Sequence, residues 1–375
     1  MRILVAVRIL THETARSVLA VLGVFAAIVL VFLQLGFYSS VPIGATTIYK
    51  ALAYDLILVS RDYEFQMRTD RFPRRRLQQA LALPEIESAA GFYQRYARWL
   101  NIGGRLQREV FVMGVDPDRE TFLVPAIASQ AALLKRPDTA LVDVETRPEF
   151  GSRLGATVEI EGRAVQIVGE YPLGMGFLGL GAIVVSDQNF IRLFPIQTLS
   201  EVHAGLLRLR PGTDPEAAAA RLRALLPRDT EVLTRSQFEA RERAYWVNTT
   251  STGLIFGFGA IIAAIVGTAI LFQTLSTLIL RNLREYAVLK AMGYEERYLA
   301  GIVVIQALLI SLLAFAPAVV ASYGLYDLTR WATRLPVFMT EARISAVLAA
   351  TVAASIAGGL LTLRLLRRAD PADLF

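Results

Sequence analysis

Four stretches of this chain carry no Asp, Glu, Lys, Arg or His: Ser17–Tyr38, Gly253–Leu280, Tyr298–Tyr323 and Ile344–Leu363. Each is long enough for a helix to cross a bilayer core, which takes about 20 apolar residues. The first lies near the N-terminus. It exceeds the apolar run of about 7–15 residues found in secretory signal peptides, and no small-x-small cleavage site follows it, so it reads as an uncleaved span. The pattern predicts a membrane α-helical protein of four transmembrane helices with one large insertion between the first two.

That insertion, residues 39–252, alternates short apolar runs with turn residues and reads as mixed α/β. Strands are expected at Asp55–Ser60, Glu109–Val115, Thr139–Val144, Ala156–Ile160, Ala164–Gly169, Ala182–Ser186 and Gly205–Leu209. Helices are expected at Arg74–Leu83 and Pro215–Leu226, the second with Asp214 as N-cap and Pro215 in its first turn. Ser39–Ala53 and Ser236–Asn248 tolerate helix, so the inserted α/β (α+β) domain is expected to stand on a helical stalk. Glycines punctuate Tyr171–Gly181. Met175, Phe177 and Leu178 there suggest either an apolar loop facing an adaptor or substrate, or a plain structural loop.

Charge orients the spans. Arg2, Arg8 and Arg16 precede the first; Arg281, Arg284, Lys290 and Arg297 separate the second and third; Arg364, Arg367 and Arg368 follow the fourth. The positive-inside rule puts these, and both termini, in the cytoplasm. Arg330, Arg334 and Arg343 on the opposite side weaken the contrast without reversing it. The expected layout is a cytoplasmic-face segment 1–16, spans 17–38, 253–280, 298–323 and 344–363, a periplasmic domain 39–252 with its stalk helices, a cytoplasmic coupling helix 281–297, a short periplasmic loop 324–343 and a cytoplasmic tail 364–375. Residues 1–16 are moderately amphipathic. They either lie along the inner membrane surface or fray.

Composition fits this picture and removes several chemistries. Hydrophobic residues make up 54% of the 375 and charged residues 19%, and the mean hydropathy is +0.45. The net charge of +6 sits beside the apolar runs, because residues 39–252 hold 26 Lys and Arg against 25 Asp and Glu. The excess is therefore topological rather than a nucleic-acid footprint. There are no cysteines. His12 and His203 fall on opposite sides of the membrane in this topology and form no joint site. No phosphate-binding loop, nucleophile elbow or zinc-protease motif is present. Arg74–Arg76 reads as a solvated helix start, and Asp116 and Asp118 as a turn. With no Asp, Glu, Lys, Arg or His in any span, transport driven by an ion gradient is disfavoured. Gln34, Gln273 and Gln306 read as hydrogen-bonding glue between helices.

The charged segment between spans two and three is the strongest local signal. Glu285 near its start and Lys290 near its end suit a helix dipole. Gly293 suits a left-handed C-terminal cap. Tyr286, Leu289 and Met292 make an apolar stripe at three-residue spacing, fit for a groove on a cytoplasmic partner or for the lipid surface. Arg284–Tyr294 resembles the coupling-helix signature of the FtsX-like permeases.

Other pieces recur in the order expected of a DevC-type permease of the FtsX/MacB-like superfamily. They are Phe32–Phe37, Asp55–Ser60, Val112–Pro117, Arg147–Gly151, Ser186–Phe190, Leu233–Thr234, Tyr245–Trp246, Ile265–Gly267 and Ala369–Phe375. Leu33 departs from the pattern, standing where the family often has Met. The resemblance implies a non-enzymatic permease subunit of a tripartite ABC exporter in the inner membrane of a Gram-negative-type bacterium, working by mechanotransmission. It implies a homodimer, two copies of a cytoplasmic ABC ATPase, a periplasmic membrane-fusion adaptor and a TolC-type outer-membrane channel. ATP and Mg would be bound by the ATPase, with no cofactor or metal in this chain. Coupling to the ATPase would fall to Arg284, Glu285, Tyr286, Leu289, Lys290, Met292, Gly293 and Tyr294. Glycolipid or another hydrophobic compound would be the cargo. An FtsX-like regulator of a cell-wall hydrolase and a lipid- or lipoprotein-extracting permease remain alternatives.

Overall fold

The computed structural model describes residues 2–12, 14–101, 107–176, 179–281, 288 and 292–368. They fall into two units. One takes its residues from 1–40, 251–332 and 337–375, the other from 41–250 and 333–336.

The first unit is helical. α1 (Arg2–His12) is followed by α2 (Thr14–Ala51), whose last turns belong to the second unit. Among the described residues, four helices, beginning with α2, are long and apolar enough to cross a membrane. Val24, Ile28 and Phe32 of α2 pack with residues of the two C-terminal long helices, among them Ile310, Ala314 and Val347. Small residues permit this approach. A Cβ on Gly36 would lie 2.7 Å from the Tyr326 ring, and one on Gly259 would lie 2.9 Å from the Gln34 amide. The hydroxyls of Ser311 and Ser355 meet at 2.6 Å in the interior. Of the glutamines expected to bond between helices, Gln306 is buried and Gln273 is exposed.

The second unit is built on eleven strands. β1 (Leu56–Ser60), β2 (Phe72–Pro73), β3 (Ile86–Leu100), β4 (Gln107–Val115), β5 (Thr139–Asp143) and β6 (Thr157–Ile160) come first. β7 (Arg163–Tyr171), β8 (Ala182–Ser186), β9 (Glu201–Val202), β10 (Ala204–Leu209) and β11 (Thr230–Thr234) follow. Its helices are α3 (Arg75–Ala80), α4 (Pro125–Gln130), α5 (Asp187–Leu193), α6 (Pro215–Leu225) and α7 (Arg235–Asn248). α8 (Ser251–Arg281), α9 (Glu296–Thr333) and α10 (Glu341–Arg368) complete the first unit.

Nine strands form one sheet in the order β11-β1-β10-β3-β4-β8-β5-β7-β6, and β6 also meets β3. The sheet therefore has two parts that share β3. β3, β4, β8, β5, β7 and β6 close into a six-stranded ring. β11, β1, β10 and β3 form an antiparallel flank. With α3 and α6 that flank has βαββαβ order, the ferredoxin-like arrangement. Leu77 and Ala80 of α3 and Ala218, Ala219 and Leu222 of α6 pack onto Leu56, Leu58 and Leu207.

Seven expected strands are present with small shifts at their ends, and Asp214 caps α6 by accepting from the Glu216 amide at 3.1 Å. β2, β3, β9 and β11 were absent from the sequence expectation. β3 is buried through most of its centre, so it shows no alternation to read. The basic run at α3 is also corrected. Arg76 is buried and grips Asp229 at 2.6–3.1 Å, and Arg74 lies 3.7 Å from Asp187, so only Arg75 of the three is fully solvated. Asp116 and Asp118 do form a turn, with the Asp118 amide donating to Asp116 at 3.0 Å.

Gly91 and Gly205 face each other across β3 and β10. Their missing side chains open a notch for Leu77: a Cβ on Gly205 would lie 2.4 Å from the Leu77 side chain and 3.2 Å from Leu58. Gly205→Ala is expected to destabilise the protein by about 1–3 kcal/mol through overpacking, measured by denaturation of the detergent-solubilised chain.

Candidate functional site

Of the eight expected coupling residues, Met292, Gly293 and Tyr294 are described, and Arg284, Glu285, Tyr286, Leu289 and Lys290 lie outside the described residues. The Met292 amide donates to the Val288 carbonyl at 3.0 Å, a helical bond. Val288 and Met292 are four residues apart and both exposed, Met292 at 61%. Gly293 has φ +89°, and a Cβ there would meet nothing within 4 Å, so backbone conformation alone favours glycine. The Tyr294 ring stacks on Tyr298 at 4.7 Å, just inside the start of α9.

The glycine-rich loop is tied down at its start. The Asp143 carboxylate accepts from the amides of Leu173 at 3.1 Å and Gly174 at 2.6 Å. Burial pushes the Asp143 carboxyl up from its ordinary value, against the lowering effect of these backbone donors. Met175 is buried, 3% exposed. Phe177 and Leu178 lie outside the described residues. Beside the loop, Arg334 pairs with Glu145 at 2.8 Å.

A buried polar network went unnoticed in the sequence. Glu242 of α7 is fully buried. Its carboxylate accepts from the Tyr63 hydroxyl at 2.7 Å and from the Gln66 amide at 3.3 Å. The Tyr63 hydroxyl lies 3.0 Å from that of Tyr49, on the last turns of α2. The Gln94 side-chain amide on β3 donates to the Tyr49 hydroxyl at 3.4 Å and to the Gln66 carbonyl at 3.2 Å. Tyr49 and Phe238 pack edge to face at 4.6 Å. One hydrogen-bonded chain thus ties α2, α7, the segment after β1 and β3. A signal did exist: Phe238, Glu242 and Trp246 at four-residue spacing set a carboxylate on an apolar helix face.

His203, between β9 and β10, accepts from the Gln94 amide through Nδ1 at 3.4 Å. Burial, and then the cations Arg71 and Arg95, lower its pKa to about 4, so the imidazole is neutral at pH 7. Among the described residues no cluster of His, Asp or Glu could hold a metal ion.

Comparison with known families fits both units. Residues 257–371 match the FtsX-like permease C-terminal model and residues 17–225 match the MacB-like periplasmic core domain model. The second match spans more than half of the chain, which therefore belongs to the FtsX/MacB-like superfamily of ABC transporter permeases. No curated protein sequence matches significantly. Similar solved structures include the periplasmic region of MacB from Actinobacillus actinomycetemcomitans, at 10% identity and TM-score 0.38, covering 54% of this chain and 97% of that one. They also include the extracellular domain of the noncanonic ABC-type transporter YknZ from Gram-positive bacteria, at 12% identity and TM-score 0.33, covering 48% and 99%. A third is a domain of a putative permease from Porphyromonas gingivalis, at 17% identity and TM-score 0.33, covering 48% and 86%.

Glu242 generates a pH prediction. Burial raises its pKa from 4.5 to about 7, so the folded protein keeps this proton where the unfolded chain releases it. Stability from this group is complete below pH 4.5 and is lost as pH rises through about 7, by about 3 kcal/mol in all. Asp143 and Asp187, also raised, slope the same way, so the difference between variants is the readout. Glu242→Gln should flatten the fall in melting temperature between pH 5 and pH 8 in detergent. An unchanged slope would contradict the assignment.

Proposed function

We propose that this chain is the permease subunit of a tripartite ABC exporter. It converts the ATP-driven motion of a separate cytoplasmic ATPase into movement of its α/β domain, which drives a hydrophobic cargo outward. Both termini are cytoplasmic and residues 39–252 are periplasmic in this reading, which rests on the charge bias of the loops. The working unit is a homodimer with two ATPase copies, a membrane-fusion adaptor and a TolC-type channel in a Gram-negative-type envelope. ATP and Mg are held by the ATPase, and this chain catalyses nothing.

The observation that carries the reading is the Tyr49–Tyr63–Glu242 tie. α2 begins in an uncharged apolar run and continues without interruption to Ala51. Its last turns are bonded, through Tyr63, to α7 and to the sheet. Displacement of such a helix cannot be absorbed locally, because breaking the tie strands a buried carboxyl and two buried phenols. The uncharged spans support the same view: they offer no ionisable relay, so work must be delivered mechanically. Val288 and Met292 offer an exposed apolar pair at the end of the coupling segment, suited to a groove on the ATPase.

Leu289→Asp combined with Met292→Asp should place two carboxylates on that stripe. The tagged double variant is expected to retain at least tenfold less ATPase than the unaltered chain when purified from its native membrane in mild detergent, with its own abundance unchanged. Equal ATPase recovery would contradict the coupling role.

A further inference from the structure

β11 is the outermost strand of the nine-stranded sheet, and a cleft of about 590 Å³ opens beside its first residues. That volume lies in the range of small-molecule sites, about 300–1,000 Å³. The lining holds three arginines, Arg61, Arg223 and Arg228, and one carboxylate, Glu231.

The backbone brings these arginines together. Ser60 and Thr230 face each other across β1 and β11, and the Arg61 amide donates to the Asp229 carbonyl at 3.1 Å. Arg61 thus stands beside the turn that carries Arg228. The Thr230 amide closes that turn by donating to the Pro227 carbonyl at 3.4 Å. Arg223, in the last turn of α6, is fixed in place. Its Nε donates to the Val232 carbonyl at 2.9 Å, and a terminal nitrogen donates to Gln237 Oε1 at 3.0 Å.

Their charge is left uncompensated. Glu231 accepts from Arg241 at 2.6 Å, and Asp229 accepts from Arg76 at 2.6–3.1 Å. Both carboxylates on this stretch of chain are therefore taken by arginines from outside the cleft lining. Arg61 and Arg228 are exposed and form no ion pair among the described residues. Like charges gathered along a protein-walled cleft focus their field and concentrate counter-ions there. A guanidinium presents its donors as a planar fork that matches a carboxylate or a phosphate. Two free forks beside a third, fixed one suit an occupant with more than one anionic group.

An extended acidic peptide fits less well. It would add to the edge of β11 through backbone hydrogen bonds, but the Val232 carbonyl is held by Arg223 and the Thr234 amide donates to Gln237 Oε1 at 3.3 Å. An edge blocked in this way does not template a further strand. The arginine side chains are what remains to read an occupant.

We propose that this cleft binds a small ligand carrying two or more anionic groups, phosphates or carboxylates, gripped by Arg61 and Arg228 beside the fixed Arg223. The site does not depend on the export reading, since its evidence lies wholly in the cleft.

The test is thermal denaturation of the full chain in detergent, titrated separately with diphosphate, tricarballylate, inorganic phosphate and sodium chloride at matched ionic strength. A ligand that binds only the folded state raises the melting temperature in a saturable way. Diphosphate, tricarballylate or both should do so, with inorganic phosphate at least tenfold weaker and chloride without a saturable effect. A response to diphosphate alone assigns the anionic groups as phosphates, and one to tricarballylate alone assigns them as carboxylates. Arg61→Gln combined with Arg228→Gln should weaken the response at least tenfold. Because neither side chain serves an ion pair, the double variant should melt no lower than the unaltered chain when ligand is absent. Arg153→Gln, at an exposed arginine outside the cleft, should keep the full response. The proposal is overturned if neither polyanion gives a saturable shift, or if phosphate or chloride matches them. A response retained in the double variant, or lost equally in Arg153→Gln, would overturn it as well.

Discussion

A carboxyl group sealed from solvent must either keep its proton or be surrounded by donors, and Glu242 does some of each. Its neighbours are drawn from distant parts of the chain: Tyr63 after β1, the backbone of Gln66, and through Tyr63 the last turns of α2. No one of these elements can shift without leaving a buried polar group unbonded, and the cost is highest where the dielectric is lowest. The position of α7 and of the end of α2 on the sheet follows from this requirement.

The second constraint is the double use of β3. At fifteen residues it is the longest strand, and it serves first the antiparallel flank and then the six-stranded ring. A strand that changes partners must pass through a stretch with one edge free. His203 covers part of that stretch by accepting from the Gln94 amide, and a cleft of about 360 Å³ opens beside the rest. The opposed glycines Gly91 and Gly205, filled by Leu77, lock the flank just before the strand departs. Closure of the ring on the far side is held by Trp99, whose indole donates to the Phe150 carbonyl at 3.0 Å.

How much of this could be read from sequence depended on range. The spans were legible because absence of charge over twenty residues is a local property. Short strands such as β5 and β8 were legible from their apolar runs, and α6 from its Asp-Pro start. β3 was not, because burial on both faces through its centre erases alternation and admits Gly, Gln and Arg. Arg76 looked like a solvated charge because its partner Asp229 lies far along the chain. The network around Glu242 joins residues up to 179 positions apart. Of it, only the carboxylate on the apolar face of α7 leaves a local trace. In the coupling segment, Gly293 has a positive φ and Met292 is exposed.

Motion delivered to the α/β domain is the central claim, and the chain is suited to a direct measurement because it contains no cysteine. A single spin label at Leu225→Cys, on a half-exposed position of α6, would report the distance between the two α/β domains of the proposed dimer, purified with its ATPase. Trapping the ATPase with ATP and vanadate should shift that distance distribution relative to the nucleotide-free complex, and the shift should vanish when the ATPase cannot bind nucleotide. An identical distribution in the trapped and nucleotide-free states, with the ATPase demonstrably occupied, would contradict the account.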